Sequence, residues 1–352
     1  MDLDEALERL PKVELHCHLE GTMRPQTVAE LATKNGRKLP VEDPVDLYHY
    51  QNLDEFLSAF WLVQECLANR DDWARLAYES VVDGAAHGLL YRETFFTPAR
   101  HLQMGQRLED IVAGIESGVE AAERETGARV MLIADMDRAY GGARGVEMVE
   151  GLLELKRQGR AERVIGVGMD STELGVDPAE FLPAYRLARS AGFRLTAHQG
   201  ENSPPSAIMF DIEELGAERI DHGISILEDP AAARLLADQG IPLTVCPISN
   251  VKIANLFRSV AEHPWPQMRE AGLHVTLNTD DPAMIEDDLG KEYRTLAAAH
   301  GYGFAEMVEI SLAGVDATWL DDDESRRLRE RMRTKAGELQ RALDEGGLLP
   351  GP

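Results

Sequence analysis

Cysteine is scarce in this chain: Cys17, Cys66 and Cys246 are the only three, an odd number with no C-x-x-C pair among them. That argues against a disulfide framework and for a reducing compartment. The N-terminus, M-D-L-D-E, lacks a basic stretch followed by an apolar one, so a cytoplasmic location is the expectation. Long hydrophobic runs are missing as well. V-I-G-V-G-M at 164–169 is cut short by Asp170, and no window approaches 18 apolar residues, so no membrane span is expected. Basic charge is in deficit, with 36 Lys and Arg against 62 Asp and Glu and a net charge of −26. A surface field of that sign repels phosphate backbones and anionic membranes, which removes nucleic acid from the expected partners. No repeat, low-complexity tract or linker divides the chain, so one domain over 1–352 is expected. There is no G-x-S-x-G, and G-V-G-M-D at Gly166 lacks the third glycine of a dinucleotide loop.

What is present is a succession of short β-rich runs, each followed by a longer amphipathic stretch. The runs cover 13–19, 89–96, 128–135, 164–170, 193–198, 219–226, 242–247 and 274–278. Most are continuously apolar, the pattern of parallel strands covered on both faces. Helical periods such as 108–123 and 178–192 lie between them. Eight strand-then-helix units predict a (β/α)₈ barrel, with a doubly wound open sheet as the alternative. The interval 20–88 is too long for one crossover and is expected to hold extra helices, among them L-D-E-F-L-S-A-F-W-L from Leu53. The Arg- and Glu-rich tail, 321–352, reads as a solvated C-terminal helix.

In such a barrel, residues at the C-terminal ends of the strands face the active-site mouth. There the sequence places His16, His18 and Glu20 after the first run, Asp170 after the fourth, and His198 and Glu201 after the fifth. His222 follows the sixth, and Asn278, Asp280 and Asp281 the eighth. In a strand, residues i and i+2 point the same way, so His16 and His18 can share one metal ion. A lone H-x-H is as well explained by two histidines hydrogen-bonded near a strand end. His198 and Asp280 at the same rim complete an N₃O set of the kind zinc accepts, with room for a water whose pKa zinc lowers towards about 7. Glu201, in H-Q-G-E, is placed to hold a proton near the metal without ligating it, and His222 and Asp281 to orient the attacking water. Cys246 has no separate histidine and acid to activate it and reads as a buried thiol. The fourth run ends in Asp170, without the bridging lysine of a two-metal site, so one metal per chain is expected.

P-K-V-E-L-H-C-H-L-E-G, H-Q-G-E, R-I-D-H-G, V-C-P-I-S-N and L-N-T-D-D-P-A-M occur in that order between about Leu10 and Gly303. In these the chain resembles the adenosine deaminase family of zinc amidohydrolases. The resemblance implies zinc held by His16, His18, His198 and Asp280, with Glu201 protonating purine N1. It gives His222 and Asp281 the task of activating water for attack at C6, releasing ammonia. It further implies a backbone contact from Gly200 to the purine, Glu20 at a ribose hydroxyl, and an apolar gate of Leu57, Phe60 and Trp61. Plain packing of that gate helix is the competing expectation.

Three departures bear on the substrate. Gln199 replaces the family's usual alanine and puts an amide close to the metal, and Glu20 stands where true adenosine deaminases have aspartate. S-T-E-L-G after Asp170 is similar to the adenine deaminase branch and sets Asp170 and Glu173 beside the substrate, whereas D-D-P-A-M and L-G-K-E-Y-R look more like nucleoside-acting members. The expected reaction is hydrolytic deamination of a 6-aminopurine nucleoside, adenosine first. Adenine and a modified nucleoside such as aminodeoxyfutalosine are the alternatives. A purine-binding barrel without turnover, and a zinc amidohydrolase of a non-purine amine or ester, are the rivals of other classes.

Overall fold

The computed structural model describes residues 1–51 and 53–346. Eight parallel strands follow one another round a single sheet in chain order. They are β1 (Lys12–Glu14), β2 (Leu89–Phe96), β3 (Arg129–Asp137), β4 (Val164–Asp170), β5 (Arg194–Gln199), β6 (Arg219–His222), β7 (Pro242–Val245) and β8 (His274–Leu277). Sequential order is that of a (β/α)₈ barrel; a doubly wound sheet would reverse direction part-way.

β1 ends at Glu14, short of the expected Leu19. Beyond it His18 N–H donates to the Asp280 carbonyl at 2.8 Å and Asp280 N–H to the His16 carbonyl at 3.1 Å, with isolated bridges from Cys17 to Asp280 and from His18 to Phe95. The H-C-H segment thus closes the barrel between β8 and β2. Its two imidazoles are aimed by this closure, not by a regular pleat. β6 likewise stops at His222, four residues early, where His222 and Gly223 both have left-handed backbone (φ 69° and 71°) that a parallel ladder cannot continue.

The interval between β1 and β2 holds the helices Pro25–Lys34, Leu53–Glu65 and Arg70–Ala86 with short 3₁₀ turns. The expected helix at 178–192 is a 3₁₀ turn, Pro178–Phe181, followed by Leu182–Ser190, with Pro183 in the first turn of the second piece, where its missing N–H costs nothing. The C-terminal helix runs Asp322–Asp344, and the expected extension over 347–352 lies outside the described residues.

Opposite the mouth, the barrel floor is charged and fully buried. Arg219 Nη1 meets Glu93 Oε2 at 2.7 Å, and the Arg219 guanidinium lies 4.0 Å from the centroid of the Trp319 ring. Glu93 Oε1 also accepts the Trp319 N–H at 2.7 Å and the Tyr91 hydroxyl at 3.0 Å.

Candidate active site

At the mouth three imidazoles and a carboxylate converge. His198 Nε2 lies 3.0 Å from His18 Nε2 and 3.1 Å from His16 Nε2, while Asp280 Oδ1 lies 3.2 Å from His16 Nε2 and 3.3 Å from His18 Nε2. The opposite ring nitrogens fix the tautomers. His16 Nδ1 donates to the Thr244 carbonyl at 3.0 Å and His198 Nδ1 to the Met169 carbonyl at 3.1 Å, so both Nε2 lone pairs face inward. Burial holds the His18 imidazole down at about pKa 3, and burial with the adjoining rings holds His198 well below its usual value, keeping both neutral. Lone pairs this close repel one another unless a cation sits among them. Donors about 2.0–2.1 Å from one tetrahedral ion stand about 3.3 Å apart, so the spacing fits a single zinc-sized cation. All four residues are buried.

The ends of three strands carry strained backbone here: Ser171 after β4, His222 on β6 and Asp280 after β8 have φ of 72°, 69° and 70°. Each such conformation costs about 1–3 kcal/mol, and the surrounding packing holds it in place. Asp280 Oδ2 accepts the Ser249 hydroxyl at 2.6 Å. Burial alone would raise its pKa, but His16 and the other imidazoles hold it well below the usual carboxylate range.

Glu201 faces the same cavity from the turn after β5. Its Oε1 accepts Asn250 Nδ2 at 2.8 Å and lies 3.8 Å from His222 Nδ1. Burial raises its pKa, and His222 opposes this only in part, so the carboxyl holds its proton more tightly than a free one. Asp281 lines the same cavity with Oδ1 free of any hydrogen-bond partner; burial, then the neighbouring Asp280, raise its pKa well above the usual value. Gly21 makes room for that carboxyl, since a Cβ there would collide with Oδ1.

Of the residues expected around a substrate, Asp170, Glu173, Leu57, Phe60 and Trp61 line this cavity together with Phe56, Ile253, Asp137 and Thr97. Asp170 Oδ2 accepts the Thr97 hydroxyl at 2.5 Å, and burial, then Asp137, push its pKa to about 8. Glu20 and Gly200 are not on the lining. The Glu20 carboxyl lies fully buried behind the wall, Oε1 accepting the Thr97 N–H at 2.9 Å. Gly200 gives its N–H to Glu173 Oε2 at 2.9 Å and its carbonyl to Ser225 N–H at 2.9 Å.

The Gln199 amide does not crowd the metal pocket. It turns away, its Oε1 accepting Arg138 Nη2 at 3.0 Å and its Nε2 donating to Glu173 Oε2 at 3.2 Å. Cys246 is buried, and burial raises its thiol well above the usual value, leaving it no nucleophile.

The family model described as adenosine deaminase matches residues 11–335. The chain belongs to the adenosine deaminase family. An adenine deaminase of Streptomyces coelicolor is 34% identical over 328 residues, 92% of this chain and 95% of that one. The crystal structure of the Arthrobacter aurescens adenine deaminase superposes with a TM-score of 0.88 at 30% identity, covering 92% of this chain and 98% of that one. An amidohydrolase from Burkhoderia ambifaria, solved with bound Zn, gives a TM-score of 0.89 at 30% identity and covers 97% and 94%. As a member of the family the protein is a hydrolytic deaminase acting on a purine amidine C–N bond. Turnover, not mere binding, is its class.

Several residues that build the site carried no signal of their own in the sequence. Asn250, inside V-C-P-I-S-N, donates to Glu201 and lies 3.3 Å from His222 Nδ1, and its motif marked the segment but not the role. Thr244, Thr196 and Asp221 form a hydroxyl–carboxylate chain beneath His16, with both hydroxyls donating to Asp221 at 2.7 Å. Arg138, just after β3, donates to the His198 carbonyl, and only the fold brings the two together.

Proposed function

We propose that this chain is a zinc-dependent adenine deaminase, converting the free base to hypoxanthine and ammonia. The observation that carries the chemistry is the convergence of His16, His18, His198 and Asp280 on one point, with Glu201, His222 and Asp281 facing the same cavity. Zinc, one per chain, would make a bound water acidic enough to supply a nucleophile near neutral pH. The amidohydrolase relative solved with bound Zn supports that choice of metal.

Glu201, whose pKa burial raises, donates a proton to the ring nitrogen beside the amino-bearing carbon and makes that carbon more electrophilic. His222 and Asp281 orient the attacking water and hold the proton it gives up. Asn250 keeps Glu201 and His222 in register. Leu57, Phe60 and Trp61 cover the cavity and exclude bulk water. The C–N bond breaks with a proton delivered to nitrogen, and ammonia leaves.

Adenine is preferred to adenosine for two reasons. The curated relatives are named adenine deaminase. Glu20, the group that the resemblance gives to a ribose hydroxyl, lies behind the wall, and Glu173 at the mouth has both carboxylate oxygens engaged by protein donors. Glu173 thus has no oxygen left for a sugar, and Glu20 is not on the cavity lining.

The test is ammonia release by zinc-loaded protein from adenine, adenosine, 2′-deoxyadenosine, aminodeoxyfutalosine and N6-methylated bases. Adenine should exceed adenosine in kcat/KM by roughly a hundredfold or more. A preference for adenosine would overturn the choice of substrate, and silence across the panel the whole reading.

A further inference from the structure

Glu173 is the most heavily engaged carboxylate at the mouth. Its Oε1 accepts the N–H of Glu201 at 3.0 Å; its Oε2 accepts the N–H of Gly200 at 2.9 Å and of Asn202 at 3.4 Å, the Gln199 amide at 3.2 Å, and the Ser203 hydroxyl. Three consecutive backbone N–H groups turned towards one point form an anion nest, and here the protein supplies its own anion. Gly200, at φ 81°, permits the turn that aims them.

The other side of the segment is held by Arg138. Its guanidinium donates to the carbonyls of His198 and Ser171 and to Gln199 Oε1. Gln199 is therefore the link between the cation and the anion, which an alanine could not provide. The six residues from His198 to Ser203 begin with a metal donor and carry the proton donor, Glu201, at their centre. Their geometry is set by Glu173 and Arg138.

We propose that Glu173 is the positioning residue for Glu201: it fixes the acid's height above the metal pocket, with Gln199 locking the clamp to Arg138. This rests on the reading of Glu201 as proton donor given above. With both oxygens committed, Glu173 acts through the loop and not by binding substrate. It also bears on Glu201's proton. The groups facing Glu201 are His222 from β6, Asp280 following β8, and Glu173 following β4. Among them the negative charge of Glu173 helps to hold Glu201 in its acid form.

Glu173→Gln is the decisive variant, because it keeps the shape but turns an N–H towards N–H donors. In the zinc-loaded full-length chain, bound zinc should stay at the wild-type level and KM within about threefold, while kcat falls about 10- to 100-fold. The alkaline limb of the kcat–pH profile should move to lower pH, and Glu173→Asp should restore part of the rate. Amide hydrogen exchange across 199–203 should accelerate roughly tenfold or more.

A raised KM with unchanged kcat would make Glu173 a substrate contact and overturn the proposal. So would unchanged exchange at those amides. Ser203→Ala and Gln199→Ala, each removing one donor, must move kcat and exchange in the same direction by less, and serve if Glu173→Gln does not fold. Should the wild type deaminate no purine, the proposed function falls, while the exchange rates still decide the role of Glu173.

Discussion

In the proposed mechanism Glu201 is the residue on which proton delivery turns, and its burial sets the expected pH dependence. A carboxyl with a raised pKa keeps its proton from acid pH up to that raised value and loses it above, so kcat should fall on the alkaline side. Glu201→Gln should retain stoichiometric zinc by elemental analysis yet lose several orders of magnitude in kcat; undiminished turnover would remove Glu201 from the mechanism. His16→Ala takes away a donor whose Nε2 lies within 3.2 Å of both His198 Nε2 and Asp280 Oδ1, and bound zinc should drop well below one per chain. Full occupancy would contradict ligation. At this scale the convergence of His16, His18, His198 and Asp280, and the placement of Glu201, His222 and Asp281 on the same cavity, were legible, because each sits at a strand end beside a short, chemically distinctive neighbourhood. Gln199 was misplaced next to the metal. Its direction depends on Arg138 and Glu173, 61 and 26 residues away, and no local pattern encodes that meeting.

Elements place these residues by how they end. β1 gives only three residues of ladder, and the H-C-H segment that follows closes the barrel through backbone bonds to Asp280 and Phe95. The apolar run at 13–19 announced a strand without revealing that its second half would be the seam. β2 and β4 were readable to the residue, since burial on both faces at all but one position of each leaves one consistent reading. The turn Glu20–Thr22 packs Gly21 directly against Asp281. Gly21→Ala should therefore displace that carboxyl and lower kcat about 100-fold with zinc content preserved; a variant with wild-type kcat would show that Asp281 needs no fixed position. On the helix Leu53–Glu65, Phe60 is nearly buried, its ring 6.5 Å from that of His18, and Trp61 packs against Arg100. Core packing and cavity lining thus coincide in one element, which is why its apolar period alone could not separate the two.

The whole molecule divides its labour along the barrel axis. The candidate active site lies at the C-terminal mouth, whereas the floor is held by Arg219 and Glu93, both fully buried, under Trp319. Removing one partner of a buried ion pair strands the other charge and costs about 3–5 kcal/mol. Glu93→Gln should accordingly lower Tm, by on the order of 5–10 °C, since each kcal/mol shifts a domain of this size by only a few degrees at most. Yet kcat below the transition should stay within about twofold of wild type, because residues at the bottom face of such barrels serve stability. Asp281→Asn should do the reverse, leaving Tm nearly unchanged while kcat collapses. The two variants together test the division. Arg219 Nε lies 4.0 Å from Asp221 Oδ1, and Asp221 in turn accepts the Thr244 hydroxyl that lies 3.0 Å from His16 Nδ1. If Glu93→Gln lowered kcat as well as Tm, that column of polar contacts would couple floor to mouth, and the separation argued here would fail.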